Sequence, residues 1–102
     1  MPIIEEIPFD PKGFEKALAL IKSLDNRHRL LILCLLCYRN ANVSEMSEAS
    51  GLSMSAVSQH LSVLKKADLV ATKKTSQTIT YRLKNEDVRK VVDLLKQLYC
   101  NG

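Results

Sequence analysis

The side chains between residues 53 and 66 that can hydrogen-bond to another molecule recur at helical spacing. On a helix, three serines, a glutamine and a lysine would lie on one side: Ser55, Ser58, Gln59, Ser62 and Lys66. Glutamine can pair with adenine through two hydrogen bonds, and serine and lysine can contact base edges or phosphates. Small side chains also let a helix enter the major groove. The segment is therefore a candidate for reading DNA.

The three cysteines are the other residues with distinctive chemistry. Cys34 and Cys37 lie in an apolar segment, and Cys100 lies near the end of the sequence. An odd number of cysteines does not suggest the disulfide framework of a secreted protein. A cysteine in an apolar helix is either a small buried side chain or a reactive thiol, and the residues alone leave both open.

Metal ligands and catalytic groups are sparse. The histidines are His28 and His60, and the spacing of histidines and cysteines does not fit a tetrahedral zinc site. There is no Ser/His/Asp set, no suitable pair of carboxylates and, with three glycines, no glycine-rich phosphate loop. We therefore expect neither an enzyme nor a protein with a bound metal or cofactor.

The elements that must position these residues are mostly helices. Apolar residues at intervals of three and four, preceded by capping residues, predict helices over about residues 11–24, 27–38, 45–50 and 54–67. The expected caps are Asp10, then Asp25 or Asn26, then Ser44 and Ser53. Gly51 is expected to end the third helix, because glycine adopts the left-handed conformation freely. The second helix is apolar on nearly all sides and is expected at the centre of the core.

From Leu69 onward the apolar pattern changes to alternation. Ile79, Tyr81 and Leu83 alternate with polar residues, which predicts a β-hairpin over residues 69–74 and 77–83. Its tip is expected at residues 73–76, which are basic and hydroxylated. Asn85 then caps a last helix with an apolar stripe from Val88 to Tyr99.

A helix, a short turn, a second helix with small polar side chains and a basic hairpin follow one another in a winged helix-turn-helix. The predicted fold is mainly α, with about five helices and a two-stranded wing. The candidate DNA contacts are Ser53, Ser55, Ser58, Gln59, His60, Ser62, Lys65, Lys66, Lys73, Lys74 and Arg82. Ser53 is expected to act chiefly as a cap, and His60 either contacts DNA or bridges to a neighbouring helix. A winged helix that binds protein would instead need an apolar or acidic recognition face.

The bulk properties agree with this interpretation. The 102 residues predict one domain, residues 1–102, and the net charge of +4 suits an anionic partner. The apolar run at residues 30–38 is too short to span a membrane, and the first residues lack a secretory pattern, so a cytoplasmic protein without membrane association is expected. Apolar stripes at both ends of so small a chain favour a homodimer.

The run from Gly51 to Lys65, GLSMSAVSQHLSVLK, resembles the recognition segment GLSxSAxSQHLxxL of the ArsR/SmtB family of bacterial winged-helix repressors. The similarity covers nearly the whole chain, including RLLIL in the second helix and TYRL at the end of the wing. Within the family, the segments around Cys34 and Leu98-Tyr99-Cys100 are most similar to the branch that contains HlyU, BigR and YgaV.

The resemblance implies a homodimer on a palindromic DNA operator, with the first and last helices of the two subunits packed together. It also implies a thiol switch, in which an oxidant or a persulfide links Cys34 to Cys100 and lowers DNA affinity. Cys37 has no counterpart in the motif and either packs in the core or competes for Cys100. The metal-binding motifs of the family are absent from residues 43–50 and 86–100. A metal- or metalloid-responsive repressor and a regulator without a sensor, which displaces a silencer, are the alternatives.

Overall fold

Helices make up most of the chain. The computed structural model describes Glu6 and residues 9–100. Within residues 9–100 the elements are α1 (Pro11–Leu24), α2 (Arg27–Tyr38), β1 (Ala41–Asn42), α3 (Val43–Ser50), α4 (Met54–Lys66), β2 (Val70–Thr75), β3 (Thr78–Leu83) and α5 (Glu86–Tyr99). Helices α3 and α4 form the helix-turn-helix, and β2 and β3 form the wing. The predicted fold, mainly α with a β-hairpin, is confirmed.

The first two helices begin where capping chemistry predicts. Asp10 accepts a hydrogen bond from the Gly13 N–H at 2.9 Å, and Pro11 occupies the first helical position. The Asn26 side chain accepts hydrogen bonds from the first N–H groups of α2. These bonds satisfy donors that every helix leaves free at its N-terminus.

The start of α3 differs from the prediction. Asn42, not Ser44, caps it: the Asn42 side chain accepts from the Glu45 N–H at 2.8 Å, and the Glu45 carboxylate accepts from the Asn42 N–H at 2.9 Å. This reciprocal arrangement satisfies two backbone donors at once. The Asn42 N–H, followed by the Arg39 guanidinium at 2.9 Å, holds the pKa of Glu45 below its usual value.

Helix α2 lies at the centre of the core, as its all-round apolar sequence predicts. Its buried residues are Ile32, Leu33 and Leu36. Around them pack buried side chains from other elements: Met46, Val57, Leu61, Leu64, Leu69, Val70, Leu83, Val88 and Val92. Burial of each such side chain contributes about 1.5–3 kcal/mol, so this cluster holds α4 firmly against the rest of the molecule.

The sheet has three antiparallel strands in the order β1-β3-β2, one more than predicted. The sequence predicts only a polar break at residues 39–42. Two residues are too few to show alternation, and what makes them a strand is pairing with β3, where Ala41 lies opposite Tyr81. The extra strand connects the start of α3 to the wing.

The two terminal helices are less covered than the others. Ser23 is the buried residue of α1, and Ile21 on that helix is 60% exposed. On α5, Val88 and Val92 face the core, whereas Leu98 and Tyr99 are 60% and 79% exposed. The apolar stripe predicted on α5 therefore contains residues that are buried in the core and residues that are exposed to solvent. Across the described residues, no helix combines the length and apolar character that membrane crossing requires.

Candidate nucleic-acid interface

The turn between α3 and α4 is held by its own backbone. Gly51 has a φ of 77°, the left-handed conformation, and ends α3 as predicted. Its N–H donates to the Ser47 carbonyl at 2.9 Å, and the Ser47 hydroxyl donates to the Leu52 carbonyl at 2.5 Å. Leu52 packs against the core. The orientation of α4 is therefore set by a short, well-bonded turn.

Helix α4 has one buried side and one exposed side. Val57, Leu61 and Leu64 are buried, as their spacing predicts. The exposed side carries the serines, the glutamine and the lysines that the sequence analysis names as candidate contacts. All of them are exposed to solvent: Ser55, Ser58, Gln59, Ser62, Lys65 and Lys66. These candidate contacts thus lie together on the exposed side of a single helix.

Two other candidates on α4 have structural contacts. Ser53 caps the helix, accepting a hydrogen bond from the Ala56 N–H at 3.1 Å, which confirms its expected role as a cap. His60 is half-buried, and its ring centroid lies 5.6 Å from that of His28 on α2. Burial, then the charges of His28 and Arg29, lower the pKa of His60. Of the two roles expected for His60, the structure shows the contact with the neighbouring helix.

The basic residues of the wing lie on two faces. The predicted tip, residues 73–76, is displaced: Lys73 and Lys74 belong to β2, and the turn is formed by residues 76 and 77. Successive strand residues point to opposite faces, so Lys74 shares the face of Ile79, and Lys73 shares that of Thr80 and Arg82. The Arg82 guanidinium also donates to the Leu83 carbonyl at 3.3 Å.

Positive charge is concentrated in residues 51–85, which include α4 and the wing. Residues 51–85 contain six basic residues and one acidic residue, Asp68, whose carboxylate is paired with Lys84 at 2.5 Å. The rest of the chain has nine basic and ten acidic residues and is nearly neutral. The net charge of +4 therefore arises from the segment that contains α4 and the wing, and not from α3, which carries Glu45 and Glu48. Such a distribution favours binding to a polyanion.

The exposed surface of α4 also contains apolar side chains that the sequence analysis did not single out. Met54 is 54% exposed at the first position of the helix, and Val63 is 43% exposed. The periodicity signal for Met54 is weak because it directly follows the cap. An exposed methyl group at this position can contact the thymine methyl in the major groove.

Comparison with known proteins decides the family. The model of the bacterial regulatory protein arsR family matches residues 26–72, from the cap of α2 into β2. The full chain is 39% identical to the transcriptional activator HlyU of Vibrio cholerae and covers 98% of that protein. The chain belongs to the ArsR family. It is therefore a DNA-binding transcription regulator, and its relatives are regulators rather than enzymes.

Solved structures agree with this assignment of the ArsR-family chain. The structure of HlyU from Vibrio cholerae N16961 has a TM-score of 0.86 at 41% identity, covering 90% of this chain and 100% of that one. Reduced HlyU from the same source has a TM-score of 0.83 at 42% identity, with 88% and 95% covered. The homodimeric winged helix-turn-helix DNA-binding domain Mb0332 of Mycobacterium bovis has a TM-score of 0.76 at 28% identity, with 83% and 79% covered.

The thiols of this ArsR-family regulator lie on α2 and just beyond α5. Cys34 and Cys37 are half-buried, Cys100 is exposed, and all three are free. Burial raises the pKa of Cys34, the charge of Lys96 opposes that rise, and the Cys100 thiol adds to it.

A small cavity opens beside Cys34. Its volume is about 240 Å³. Its walls come from α2 and α3 and are mostly apolar: Leu31, Ile32, Cys34, Leu35, Tyr38, Met46, Ala49 and Ser50. A small molecule that entered from solvent would meet the sulfur of Cys34 at the wall.

Potential metal ligands do not converge in the part of this ArsR-family chain that the structure describes. Among Glu6 and residues 9–100, no three histidine, cysteine, aspartate or glutamate side chains form a group that could hold an ion. His28 and His60 are near each other but do not belong to a larger group of this kind within those residues.

Proposed function

We propose that residues 1–102 form one cytoplasmic DNA-binding domain that acts as a homodimer on a palindromic operator. The observation that carries the proposal is the exposed side of α4, where Ser55, Ser58, Gln59 and Ser62 stand clear of the core. A helix with such small polar side chains fits the major groove, and the charged wing beside it supplies contacts to phosphates.

The candidate residues divide into two roles. Gln59 reads a base, because its amide can both donate to and accept from adenine. Ser55, Ser58 and Ser62 contact base edges or phosphates nearby. The remaining basic residues neutralise phosphates and position the protein without reading sequence: Lys65, Lys66, Lys73, Lys74 and Arg82.

The exposed apolar surfaces of α1 and α5 support the homodimer. Ile21, Leu98 and Tyr99 are each at least 60% exposed, although the chain is small and needs all the apolar burial it can obtain. A twofold partner that packs against these helices would cover them. The same symmetry would place two copies of α4 about one DNA turn apart, which matches a palindromic site. The homodimeric state described for Mb0332 supports this assembly.

DNA binding can be tested by fluorescence anisotropy with a duplex enriched from a random pool and an unrelated duplex of equal length. We expect Gln59→Ala to weaken binding to the enriched duplex about tenfold or more, in line with the loss of one bidentate base contact, and to leave the unrelated duplex unaffected. Lys73→Ala should weaken both and reduce the salt slope by about one.

Lys12→Ala is the matched control for the lysine variant, because Lys12 is an exposed lysine on α1 and belongs neither to the helix-turn-helix nor to the wing. It should bind both duplexes as the unmodified protein does. Full affinity of Gln59→Ala for the enriched duplex would contradict the assignment of α4 as the reading helix.

We further propose that Cys34 and Cys100 form a thiol switch that lowers DNA affinity. With a hydroperoxide, the two thiols lose two protons and two electrons to form a disulfide, while the hydroperoxide is reduced to an alcohol or to water. With a persulfide, the Cys34 sulfur takes the outer sulfur and releases a thiol; Cys100 then displaces hydrogen sulfide to form the disulfide. If a second persulfide first gives its outer sulfur to Cys100 and leaves as a thiol, attack of one cysteine persulfide on the other releases hydrogen sulfide and forms a bridge that is one sulfur longer.

A bridge between α2 and α5 affects DNA binding because α5 carries part of the proposed dimer surface. A small rotation of one subunit against the other would change the distance between the two α4 helices. The half-sites of an operator are fixed in spacing, so such a change lowers affinity. The description of one related structure as reduced HlyU is consistent with redox chemistry in that relative.

The switch can be tested by repeating the DNA titration after treatment with peroxide or persulfide. We expect the treated protein to lose DNA affinity, while Cys34→Ser and Cys100→Ser keep theirs. Cys37→Ser is the matched control, since Cys37 is half-buried one turn from Cys34, and it should respond like the unmodified protein. Loss of binding without a link between Cys34 and Cys100 in the mass spectrum would contradict the proposal.

A further inference from the structure

Lys96 of α5 is held in place by Tyr38 of α2. Its ammonium donates a hydrogen bond to the Tyr38 hydroxyl at 2.5 Å and lies 4.4 Å from the centroid of the Tyr38 ring. This hydrogen bond is the first cause of the raised pKa of Lys96, so the side chain stays positively charged. The contact joins the last turn of α2 to the last turn of α5.

The contact lies among the groups of the proposed switch. Tyr38 is one helical turn beyond Cys34 and shares the wall of the cavity with it. Lys96 is one turn before Cys100, whose N–H donates to the Lys96 carbonyl at 2.8 Å. The pair therefore joins the helix that carries Cys34 to the turn that precedes Cys100, and the Lys96 charge acts on the Cys34 thiol.

The other charged or titratable groups in this region do not replace Lys96. Asp93 on α5 is negative and raises the pKa of Lys96. The Arg89 guanidinium is engaged by the Cys37 carbonyl at 2.5 Å and the Glu86 carboxylate at 3.1 Å. From α3, the cavity wall contains Met46, Ala49 and Ser50, none of which is charged.

We propose that Lys96, held over the ring of Tyr38, is a positioning residue that promotes attack by the Cys34 sulfur on a persulfide. The inference rests on the proposed thiol switch. The reacting form of a cysteine is the thiolate, and burial disfavours it at Cys34. The Lys96 charge stabilises that thiolate, which attacks the outer sulfur of the neutral persulfide. In the step, Cys34–SH and R–S–SH give Cys34–S–SH and R–SH, so the proton lost by Cys34 leaves with the released thiol.

The test is the pH dependence of Cys34 alkylation by iodoacetamide, a neutral probe, in the reduced full chain. Cys34 and Cys37 lie in one tryptic peptide, residues 30–39, and tandem mass spectrometry separates them. We expect Lys96→Gln to move the Cys34 profile to higher pH and to slow alkylation at pH 7 about two- to fivefold, as for a partly screened charge. Tyr38→Phe, which removes the hydroxyl anchor, should give a smaller shift.

Lys96→Arg keeps the charge and should retain the original profile. Lys90→Gln is the matched control, because Lys90 is an exposed lysine on the same helix, six residues before Lys96. If Lys96→Gln destabilises the fold, Lys96→Met, which keeps the aliphatic stem over the ring, replaces it. A Cys34 profile that is unchanged by Lys96→Gln and Lys96→Met, or shifted equally by Lys90→Gln, would overturn the proposal.

The result of the alkylation experiment can be distinguished from the result of the DNA-binding test of the thiol switch. Alkylation requires neither DNA nor persulfide, so it reports on Lys96 even if treated protein keeps its DNA affinity. Conversely, an unchanged alkylation profile together with persulfide-dependent loss of DNA binding would remove Lys96 from the mechanism and leave the switch in place.

Discussion

At the scale of single residues, two residues in unusual conformations or surroundings hold α4 in place, Gly51 and His60. Gly51 adopts a left-handed conformation immediately before α4, and a Cβ added there would meet nothing within 4 Å. His60 lies within α4 and contacts His28 of α2. Gly51 affects the stability of the protein through its backbone conformation, and His60 affects it through its protonation.

We expect Gly51→Ala to destabilise the protein by about 1–2 kcal/mol, because an L side chain is strained in the left-handed conformation even where space is free. Urea unfolding followed by circular dichroism measures this. Gly13→Ala is the control: Gly13 lies in the first turn of α1, and its added Cβ would make only ordinary contacts of 3.6–3.7 Å. That variant should be neutral or slightly more stable, and equal losses in both would refute the argument.

His60 should make stability depend on pH. Its pKa in the folded state is lowered, by burial first, so the unfolded state binds a proton at a pH where the folded state does not. Stability from this group is present above about pH 6.5 and is lost as the pH falls from there towards the lowered pKa.

The measurement is the free energy of unfolding at about pH 7.5 and pH 5.5. We expect His60→Asn to lose less stability than the unmodified protein over this interval, because asparagine does not titrate. His60 is only half-buried, so the difference should be modest. The same loss in both proteins would show that another group is responsible.

At the scale of elements, the residue that caps the N-terminus of α3 is also part of the sheet. Asn42 caps α3 through its side chain and pairs with Thr80 through β1. The element that supports α4 is thereby tied to the wing. This link fixes the position of the wing relative to the helix-turn-helix.

We expect Asn42→Ala to destabilise the protein by about 1 kcal/mol, the usual loss for an N-cap replaced by alanine. Asn40→Ala is the matched control, because Asn40 is exposed and outside both α3 and β1. Chemical denaturation of both variants measures the change in the free energy of unfolding. A loss at Asn40 equal to that at Asn42 would mean that the capping bonds are not the cause.

At the scale of the whole molecule, the uncovered apolar surface is the feature that a single chain does not explain. Leu94, Leu98 and Tyr99 on α5 are more than half exposed, and Ile21 on α1 is similarly exposed. Contiguous apolar surface on a soluble protein commonly marks an interface. The positive charge, by contrast, is concentrated in residues 51–85. A dimer through α1 and α5 would leave the charged region free for DNA.

We expect Leu94→Glu to convert the proposed dimer to a monomer, because a carboxylate in an apolar interface loses its hydration without gaining a partner. Sedimentation velocity at micromolar concentration measures the change, and affinity for a palindromic duplex should fall with it. Ile79→Glu, at a wing residue that is 44% exposed, is the control and should stay dimeric. An unmodified protein that sediments at 11.5 kDa would refute the dimer.

Local signals were sufficient for most of the fold and for the exposed side of α4. Asp10, Asn26 and Ser53 act as helix caps, Gly51 ends α3, and the spacing of Val57 and its neighbours sets which side of α4 is buried. Each depends on residues within about one helical turn, which a sequence displays directly. The serines and glutamine of α4 could be named for the same reason.

What only the tertiary structure decided depends on residues that are distant in sequence. The strand β1 exists because two residues pair with β3, and the cap at Asn42 is arranged together with that pairing. The contact between Tyr38 and Lys96 joins residues 58 positions apart. The apolar periodicity and the capping residues of a sequence show which residues are neighbours within one helix. They do not show which two helix ends contact each other. The sequence by itself therefore determined which face of α4 is exposed, and the packing of α2 against α5 determined which lysine contacts Tyr38, one turn beyond Cys34.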